Sequence, residues 1–296
     1  MIEVHQLVKR YGNHTAVDGI SFEIGSGETF GLLGPNGAGK TTTILMAVGA
    51  IAPDSGEVRL NGQSDPTRKE IRREVGVVPQ NLAIYEELTA EENIRFFSRI
   101  YGLSGKRLRE RVDWGLDLAG LTDRRKDRAG TYSGGMKRRL NLACALAHEP
   151  KVLFCDEPTV GVDPQSRNHI FDSIERIKDG GCTLIYTTHY MEEATRLCDR
   201  VAIVDHGKVL AVGAVEDLVQ EHGGSAVVEA ELTEVPANPS ALPGTLEGTR
   251  LRIETDRPLE DIAALGKHDI QIERLTVERP DLERVFLHLT GRSLRD

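Results

Sequence analysis

The first 210 residues alternate short apolar runs with longer stretches in which apolar residues recur at helical spacing. Runs of that length are typical of buried strands, and the longer stretches are typical of amphipathic helices. We predict strands at 2–8, 21–24, 28–33, 57–60, 75–78, 152–155, 183–186, 200–204 and 208–212. We predict helices at 39–50, 90–101, 106–118, 134–148, 164–178 and 191–198.

This order of elements predicts an α/β fold. Strands that are separated by helical stretches favour a mainly parallel sheet with both faces covered. The first strands follow one another without helices between them, which predicts an antiparallel β subdomain beside that sheet. Turn-forming residues lie between the predicted elements, at 12–13, 25–27 and 53–56.

The pattern changes after residue 221. The segment 236–243 is rich in Pro, Ala, Asn and Ser and is predicted to be a loop. Predicted strands at 249–255 and 270–277 alternate with predicted helices at 259–265 and 280–289. We therefore predict two domains, a larger one of residues 1–221 and a small α+β domain of residues 222–296.

Composition narrows the function classes. The 296 residues include 37 basic and 46 acidic side chains, a net charge of −9, which argues against binding to a nucleic-acid backbone. Two basic clusters, 124–126 and 137–139, are expected to be solvated faces of helices and loops. The longest apolar stretches, such as 140–147, are far shorter than the roughly 18 residues of a membrane span. The first residues also lack the pattern of a signal peptide.

Residues 34–41 match the phosphate-binding P-loop pattern G-x-x-x-x-G-K-[ST] without a mismatch. They follow a predicted strand and open a predicted helix, which is the context that the motif requires. Backbone N–H groups of such a loop surround phosphate oxygens, and the helix N-terminus adds a partial positive charge. The residues expected to bind the phosphates are Gly34, Pro35, Asn36, Gly37, Ala38, Gly39, Lys40, Thr41 and Thr42.

A second element is the apolar run 152–155, which is followed by Asp156 and Glu157. A buried strand of this kind delivers carboxylates at its C-terminal edge, where ligands bind in open α/β sheets. Together with Thr41, Asp156 is suited to hold Mg²⁺. Glu157 is suited to orient or deprotonate a water molecule that attacks the γ-phosphate of a nucleotide. Outside this context an Asp-Glu pair after a strand is more often a pair at a helix N-terminus or part of a turn.

A third segment, 132–140, begins with Tyr132, Ser133, Gly134, Gly135 and Met136. A Ser and two Gly at the start of a helix form a candidate second anion site. In this segment the chain resembles the ATP-binding cassette (ABC) family, whose signature reads Leu-Ser-Gly-Gly-Gln. The resemblance covers about the first 220 residues, with the motifs in the family's order, and it implies a P-loop ATPase fold with an added helical subdomain.

The resemblance also implies roles for four further residues. Tyr11 matches the aromatic residue that stacks on adenine, and Gln80 matches the glutamine that reaches Mg²⁺ and senses the transmembrane partner. Asp163 matches the segment that communicates across the dimer, and His189 matches the histidine that contacts the γ-phosphate. Each residue type alone has a commoner role, as a surface Tyr, a loop Gln, a helix-capping Asp or a hydrogen-bonded His.

Two positions depart from the family signature. Tyr132 replaces the usual Leu, and Met136 replaces the usual Gln, so any polar contact of an amide at that position is lost. Ser133, Gly134 and Gly135 retain the anion-binding part. In the family, these signature residues close over ATP that is held by a second copy.

The resemblance therefore implies an ATPase that uses ATP and Mg²⁺, with Lys40, Glu157 and His189 in catalysis and Thr41, Gln80 and Asp156 at the metal. It implies a head-to-tail homodimer and a separate multi-spanning permease, which would hold the chain on the cytoplasmic face of the cell membrane. The ending 280–291 is similar to ATPase subunits of ABC-2 type exporters, most of all the daunorubicin-resistance type, which implies drug or small-molecule efflux.

Two other functions are weighed against this one. A soluble ABC ATPase that acts on nucleic acid or ribosomes usually has a second cassette, long heptad arms or zinc-binding cysteines, which this sequence lacks. A P-loop GTPase or kinase is disfavoured because the guanine-reading Asn-Lys-x-Asp motif is absent while every ABC motif is present.

Overall fold

The structure, a computed structural model, describes residues 1–236, 238–268 and 270–291. The chain divides into two units, one of residues 1–215 and one that begins at residue 216. The strands of the first unit are β1 (Ile2–Tyr11), β2 (His14–Ile24), β3 (Thr29–Leu33), β4 (Ser55–Leu60), β5 (Val75–Val78), β6 (Val152–Asp156), β7 (Thr183–Thr188), β8 (Arg200–Asp205) and β9 (Lys208–Ala214). Its helices are α1 (Lys40–Ala47), α2 (Lys69–Arg72), α3 (Ala90–Ile100), α4 (Gly105–Leu118), α5 (Gly134–Ala145), α6 (Pro164–Asp179) and α7 (Met191–Leu197).

Six strands form the central sheet in the order β5-β6-β7-β3-β8-β9. All neighbours are parallel except β9, which runs antiparallel to β8. Every residue of β3, β6 and β7 is buried, as expected for strands that are covered on both faces. The C-terminal ends of β3 and β6 lie at the same edge of the sheet, and the predicted mainly parallel α/β fold is confirmed.

The antiparallel subdomain is a three-stranded sheet in the order β2-β1-β4. Its apolar side chains, such as Val4 and Phe22, share one core with Phe30 and Phe154 of the central sheet and with α1. The sequence pattern places the start of the second strand at residue 21, whereas β2 begins at His14. Gly19, with φ 75°, is the extra residue of a β-bulge. The strand therefore continues through this glycine, although a glycine in the sequence is typical of a strand end.

Helices α3, α4 and α5 pack on one another around a separate apolar cluster that includes Ile94, Leu116 and Leu140. Thr89 begins α3 with a capping box, because its side chain accepts from the backbone of Glu92 and the Glu92 side chain accepts from the backbone of Thr89. This helical subdomain presents the N-terminus of α5, with Ser133 and Gly134, at its surface. In the ranges that the structure covers, no helix is both long and apolar enough for a membrane span.

The second unit contains α8 (Val215–His222), β10 (Ala226–Leu232), β11 (Thr245–Glu247), β12 (Arg250–Thr255), α9 (Pro258–Leu265), β13 (Ile272–Glu278) and α10 (Leu282–Thr290). Its four strands form an antiparallel sheet in the order β11-β12-β10-β13 around a small apolar core. The unit begins at residue 216, six residues before the predicted domain start at 222, because α8 spans that position. The predicted domain 222–296 and loop 236–243 include Ala237, Asp269 and 292–296, which lie outside the described residues.

Candidate active site

The loop 34–39 connects the end of β3 to the start of α1 and borders an open cavity of about 480 Å³. Gly39 caps α1 with φ 103°, and a Cβ atom there would lie 2.5 Å from the carbonyl oxygen of Ala16. Only glycine therefore fits this turn. The cavity is lined by Tyr11, His14, Ala16, Asn36, Gly37, Ala38, Gly39, Lys40, Thr41, Thr42, Gln80 and Glu157.

Lys40 is buried at the base of this cavity, with 4% of its surface exposed. Its Nζ donates to the carbonyl oxygens of Gly34 at 2.7 Å and Pro35 at 3.0 Å. A carboxylate oxygen of Glu157 lies 3.1 Å from the same Nζ. Burial lowers the pKa of Lys40, and the nearby Glu157 opposes that shift. The ammonium group is thus held in place by protein acceptors that anionic phosphates can replace.

Asp156 ends β6 beside the start of α1. Its Oδ1 accepts from the hydroxyls of Thr41 at 3.1 Å and Thr187 at 2.7 Å. Burial raises the pKa of Asp156, and the two hydroxyl donors oppose the shift. A buried carboxylate with a hydroxyl oxygen beside it is a donor set that suits Mg²⁺, whose charge would compensate for the desolvation of the carboxylate.

Glu157 lies at the centre of the contacts in this site. Its backbone has φ 46°, an uncommon conformation for a residue with a side chain, and its N–H donates to Thr187 Oγ1 at 2.9 Å. Gln80 Nε2 donates to Oε2 of Glu157 at 3.3 Å. His189 Nδ1 lies 3.4 Å from Oε1 of Glu157 but has no hydrogen-bond partner among the described residues. The structure therefore brings the predicted residues Lys40, Gln80 and His189 together around Glu157.

The predicted aromatic residue Tyr11 lines the same cavity and is half exposed, at 51% of its surface. Its ring is available to stack on a planar base, with Lys9 Nζ 5.8 Å from the ring centre. Asn36 and Thr42 also line the cavity, whereas Ser133, Gly134, Gly135 and Asp163 are not part of its lining.

Comparison with known proteins shows the family of this chain. The ABC transporter family matches residues 17–160, a range that contains Lys40, Gln80, Ser133 and Glu157. The linearmycin resistance ATP-binding protein of Bacillus subtilis is 42% identical, over the full length of both chains. The chain belongs to the ABC transporter family. As a member of this family it is an ATP-binding ATPase, and the resemblance to exporter ATPase subunits is confirmed.

Other relatives of this ABC ATPase carry related names. A Nod factor export ATP-binding protein of Rhizobium is 38% identical, over 99% of this chain and 98% of the relative. A daunorubicin resistance ATP-binding protein of Streptomyces coeruleorubidus is 39% identical, over 98% of this chain and 96% of the relative.

Solved structures confirm the cassette fold. An ATP-binding subunit of an ABC transporter superposes with a TM-score of 0.69 at 31% identity, over 75% of this chain and 93% of that subunit. A dimeric ATP-binding cassette in a post-hydrolysis state, bound to ADP and Pi, superposes with a TM-score of 0.66 at 25% identity. This superposition covers 72% of this chain and 98% of the cassette chain.

The signature segment of this ABC ATPase is built from helix caps and close packing. Ser133 caps α5 by accepting from the backbone N–H of Met136 at 3.3 Å. A Cβ atom on Gly135 would lie 1.9 Å from the hydroxyl of Ser166, so glycine is required where α5 meets the start of α6. Asp163 caps α6 by accepting from the backbone N–H of Ser166 at 2.9 Å. Ser133 and Gly134 themselves are exposed.

The two unusual signature residues have structural roles. The hydroxyl of the buried Tyr132 donates to the carbonyl oxygen of Arg124 at 2.6 Å, an interaction that a Leu could not make. Met136 packs against the apolar cluster of the helical subdomain. Both residues thus anchor the signature segment to the helices behind it.

The expectation that the basic cluster 137–139 forms a solvated face is wrong for two of its members. Arg138 is half-buried and donates to the carbonyl oxygens of Gln80 and Val160, the latter at 3.3 Å. Arg139 donates to the carbonyl oxygen of Ala119 at 2.6 Å. Burial lowers the pKa of both guanidinium groups. Arg138 therefore connects the signature helix to the loop of Gln80 and to the loop that follows Glu157.

The sequence patterns missed a buried carboxylate behind His189. Glu193, with 1% of its surface exposed, accepts from the hydroxyls of Thr159 at 2.7 Å, Tyr186 at 3.0 Å and Thr188 at 2.8 Å. Burial, reinforced by Glu193, raises the pKa of Tyr186 well above its ordinary value. The carboxylate thus holds the end of β7, from which the loop of His189 continues, against the loop that follows Glu157.

Proposed function

We propose that this ABC ATPase powers export through a separate multi-spanning membrane permease, as a homodimer with two composite ATP sites. The observation that carries the ATPase chemistry is the contact set of Glu157. This one carboxylate lies within reach of Lys40, Gln80 and His189, directly after the buried Asp156.

In the proposed mechanism Tyr11 stacks on the adenine, and the amides of the loop 34–41 surround the phosphates. Lys40 exchanges its contact with Glu157 for the β- and γ-phosphates, which leaves the Glu157 carboxylate able to accept a proton. Thr41, Asp156 and Gln80 would hold Mg²⁺, which supplies charge neutralisation on the phosphate oxygens.

Glu157 then takes a proton from the attacking water while the water oxygen bonds to the γ-phosphorus. The bond from that phosphorus to the bridging oxygen breaks, and ADP keeps the bridging oxygen. His189 would hold the γ-phosphate in line for this attack. Two contacts support this positioning of the reacting groups. Gln80 donates to the Glu157 carboxylate, and Thr188 at the end of β7 donates to the buried Glu193.

The homodimer is supported by the exposed position of Ser133 and Gly134, which lie outside the lining of the cavity of their own chain. A structural relative of this chain is a dimeric cassette. In the proposed dimer, Ser133, Gly134 and Gly135 of one copy close over the nucleotide of the other, and Asp163 communicates across the contact.

The names of the relatives, which refer to linearmycin resistance, daunorubicin resistance and Nod factor export, support efflux of an antibiotic or another small molecule. The permease would hold this chain on the cytoplasmic face of the cell membrane. If so, a tagged copy solubilised from its own membranes in mild detergent co-purifies with a protein that has several apolar spans. Co-purification of nucleic acid or ribosomes in its place would contradict the exporter function.

The ATPase assignment is tested with Glu157→Gln. We expect steady-state release of phosphate to fall by a factor of about 100 or more, which corresponds to ~2.7 kcal/mol of transition-state stabilisation. ATP binding is retained, because the phosphate contacts of Lys40 and the loop amides remain. The matched control is Glu192→Gln, an exposed carboxylate two residues beyond Tyr190, which leaves turnover unchanged. Undiminished turnover in Glu157→Gln would refute the role of Glu157 as the base.

A further inference from the structure

Strand β13 is an open edge of the sheet in the second unit. It spans seven residues, Ile272–Glu278, and pairs with β10 on one side. Within the described ranges it pairs with no second strand. Every residue of β13 is exposed. Its outward backbone N–H and C=O groups are therefore available to another strand.

The apolar face of this edge is incompletely covered. Leu275 and Val277 pair with Ala230 and Val228 of β10, which are fully buried in the core. Leu275 nevertheless keeps 41% of its surface exposed, and Val277 keeps 37%. Apolar side chains therefore continue past the core to the edge of the sheet.

The charged residues of the edge also lack partners. Glu273, Arg274, Glu278 and Arg279 make no ion pair with any other described residue. On the strands next to this edge, Arg252 of β12 lies within 3.6 Å of Glu229 and 3.3 Å of Glu254. The four charges of the edge and its continuation have no such partner among the described residues and are able to pair with charges of another chain.

We propose that β13 pairs antiparallel with β13 of a second copy of this chain, in a register centred on Thr276. A two-fold axis through Thr276 places Arg274 of each copy opposite Glu278 of the other. It also places Glu273 opposite Arg279. Each of these four oppositely charged pairs is of the kind that stabilises neighbouring strands. The two sheets become one continuous eight-stranded sheet, with four strands from each copy.

The same register matches the apolar face, because Leu275 of each copy lies opposite Val277 of the other. Neighbouring registers of the same symmetry fit poorly. Centring the pair on Leu275 places Glu273 opposite Val277, and centring it on Arg274 places two arginines together. Charges commonly keep edge strands apart. Here each charge on one side of Thr276 has an opposite charge at the same distance on the other side. A second copy of the strand, running antiparallel, therefore matches every charge with its opposite.

This pairing goes beyond the proposed function because it needs neither ATP nor the residues of the ATP site. It predicts that the full-length chain forms dimers in nucleotide-free buffer with EDTA, which sedimentation velocity across a range of concentrations measures. Arg274→Glu places Glu opposite Glu278 at two symmetric positions and raises the dimer dissociation constant by about tenfold or more. Glu278→Arg has a similar effect.

The double variant Arg274→Glu with Glu278→Arg restores the opposite charges and returns the dissociation constant towards that of the wild type. Arg257→Glu, an equal charge change at an exposed residue outside β13, leaves the constant unchanged. A monomeric wild type overturns the pairing, and so does a dimer that is insensitive to Arg274→Glu or is not restored in the double variant. Circular dichroism confirms that each variant is folded.

Disulfide trapping tests the register itself. With Thr276→Cys, mild oxidation links two copies, because directly opposed residues have Cβ atoms about 4.5–5.5 Å apart. With Arg274→Cys the linkage is much slower, since the two copies of residue 274 lie apart in this register. Faster linkage through residue 274 overturns the register. Neither experiment involves turnover, so failure of the edge pairing is distinguishable from failure of the ATPase assignment at Glu157.

Discussion

Two helix N-termini carry glycine-containing segments that are candidate anion sites, and the surroundings of the two segments differ. The start of α1 is crowded and highly charged, with buried Lys40, Asp156 and Glu157 around it. The start of α5 is open at Ser133 and Gly134, which are exposed, and a Cβ atom on Gly134 would contact nothing within 4 Å. In the proposed function the first end binds ATP and carries the chemistry, whereas the second contacts the nucleotide of another copy.

The largest effect is expected from removing the buried charge at the first end. In Asp156→Asn, an amide oxygen still accepts from Thr41 and Thr187, but the negative charge is lost. Turnover is expected to fall by about 100-fold or more, because the carboxylate that suits Mg²⁺ is gone.

The same variant is expected to be more stable than the wild type without nucleotide. Burial raises the pKa of Asp156 in the folded state, so folding disfavours the ionised carboxylate. The ionised carboxylate therefore lowers the stability of the fold as pH rises from the unfolded-state pKa to the folded-state pKa, and this loss of stability persists at higher pH. The neutral Asn avoids that cost. Calorimetry in EDTA at neutral pH therefore gives a higher Tm, while the exposed control Asp123→Asn changes neither Tm nor turnover. A lower Tm would contradict this account of the site.

A smaller effect is expected at Glu193, which contacts no nucleotide in the proposed mechanism but fixes the end of β7 directly before His189. Gln at this position offers one oxygen to three hydroxyls and leaves at least one of them unsatisfied, at a cost of about 1–3 kcal/mol in stability. We expect kcat to fall about tenfold while KM for ATP is unchanged, because Lys40 and Thr41 are untouched. A tenfold rise in KM for ATP, or an unchanged kcat, would contradict a positioning role.

The position of the loop 34–39 at the start of α1 could be predicted from the sequence, because the shape of such a loop depends on residues that are neighbours in the chain. A glycine-rich loop between a strand and a helix constrains Lys40 and Thr41 locally, and the edge of a parallel sheet brings Asp156 beside them. Gln80 and His189 were assigned to the ATP site only through the family resemblance, and their contacts with Glu157 are seen only in the structure. Their roles in binding and catalysis stay predictions.

Other features depend on contacts that are distant in sequence. Glu193 reads as a surface residue of an amphipathic helix, because Thr159 and Tyr186 meet it only in the folded chain. Arg138 reads as a solvated charge until the loops of Gln80 and Val160 reach it. Strand β10 was missed although residues 228–232 alternate apolar and acidic side chains, because the Ala and Glu residues of this segment are types that are depleted in strands.

The central claim, that the two helix ends act on one nucleotide only across two copies, is best tested by mixing two defective variants. In a Glu157→Gln background, Lys40→Met removes the phosphate contact and Ser133→Arg blocks the other helix end. Neither variant alone retains ATP through gel filtration, whereas Ser104→Arg, at the N-cap of α4, retains it like the parent. The account predicts that the mixture retains one ATP for each pair of chains, from a single restored composite site. Retention by Ser133→Arg alone, or none in the mixture, would contradict it.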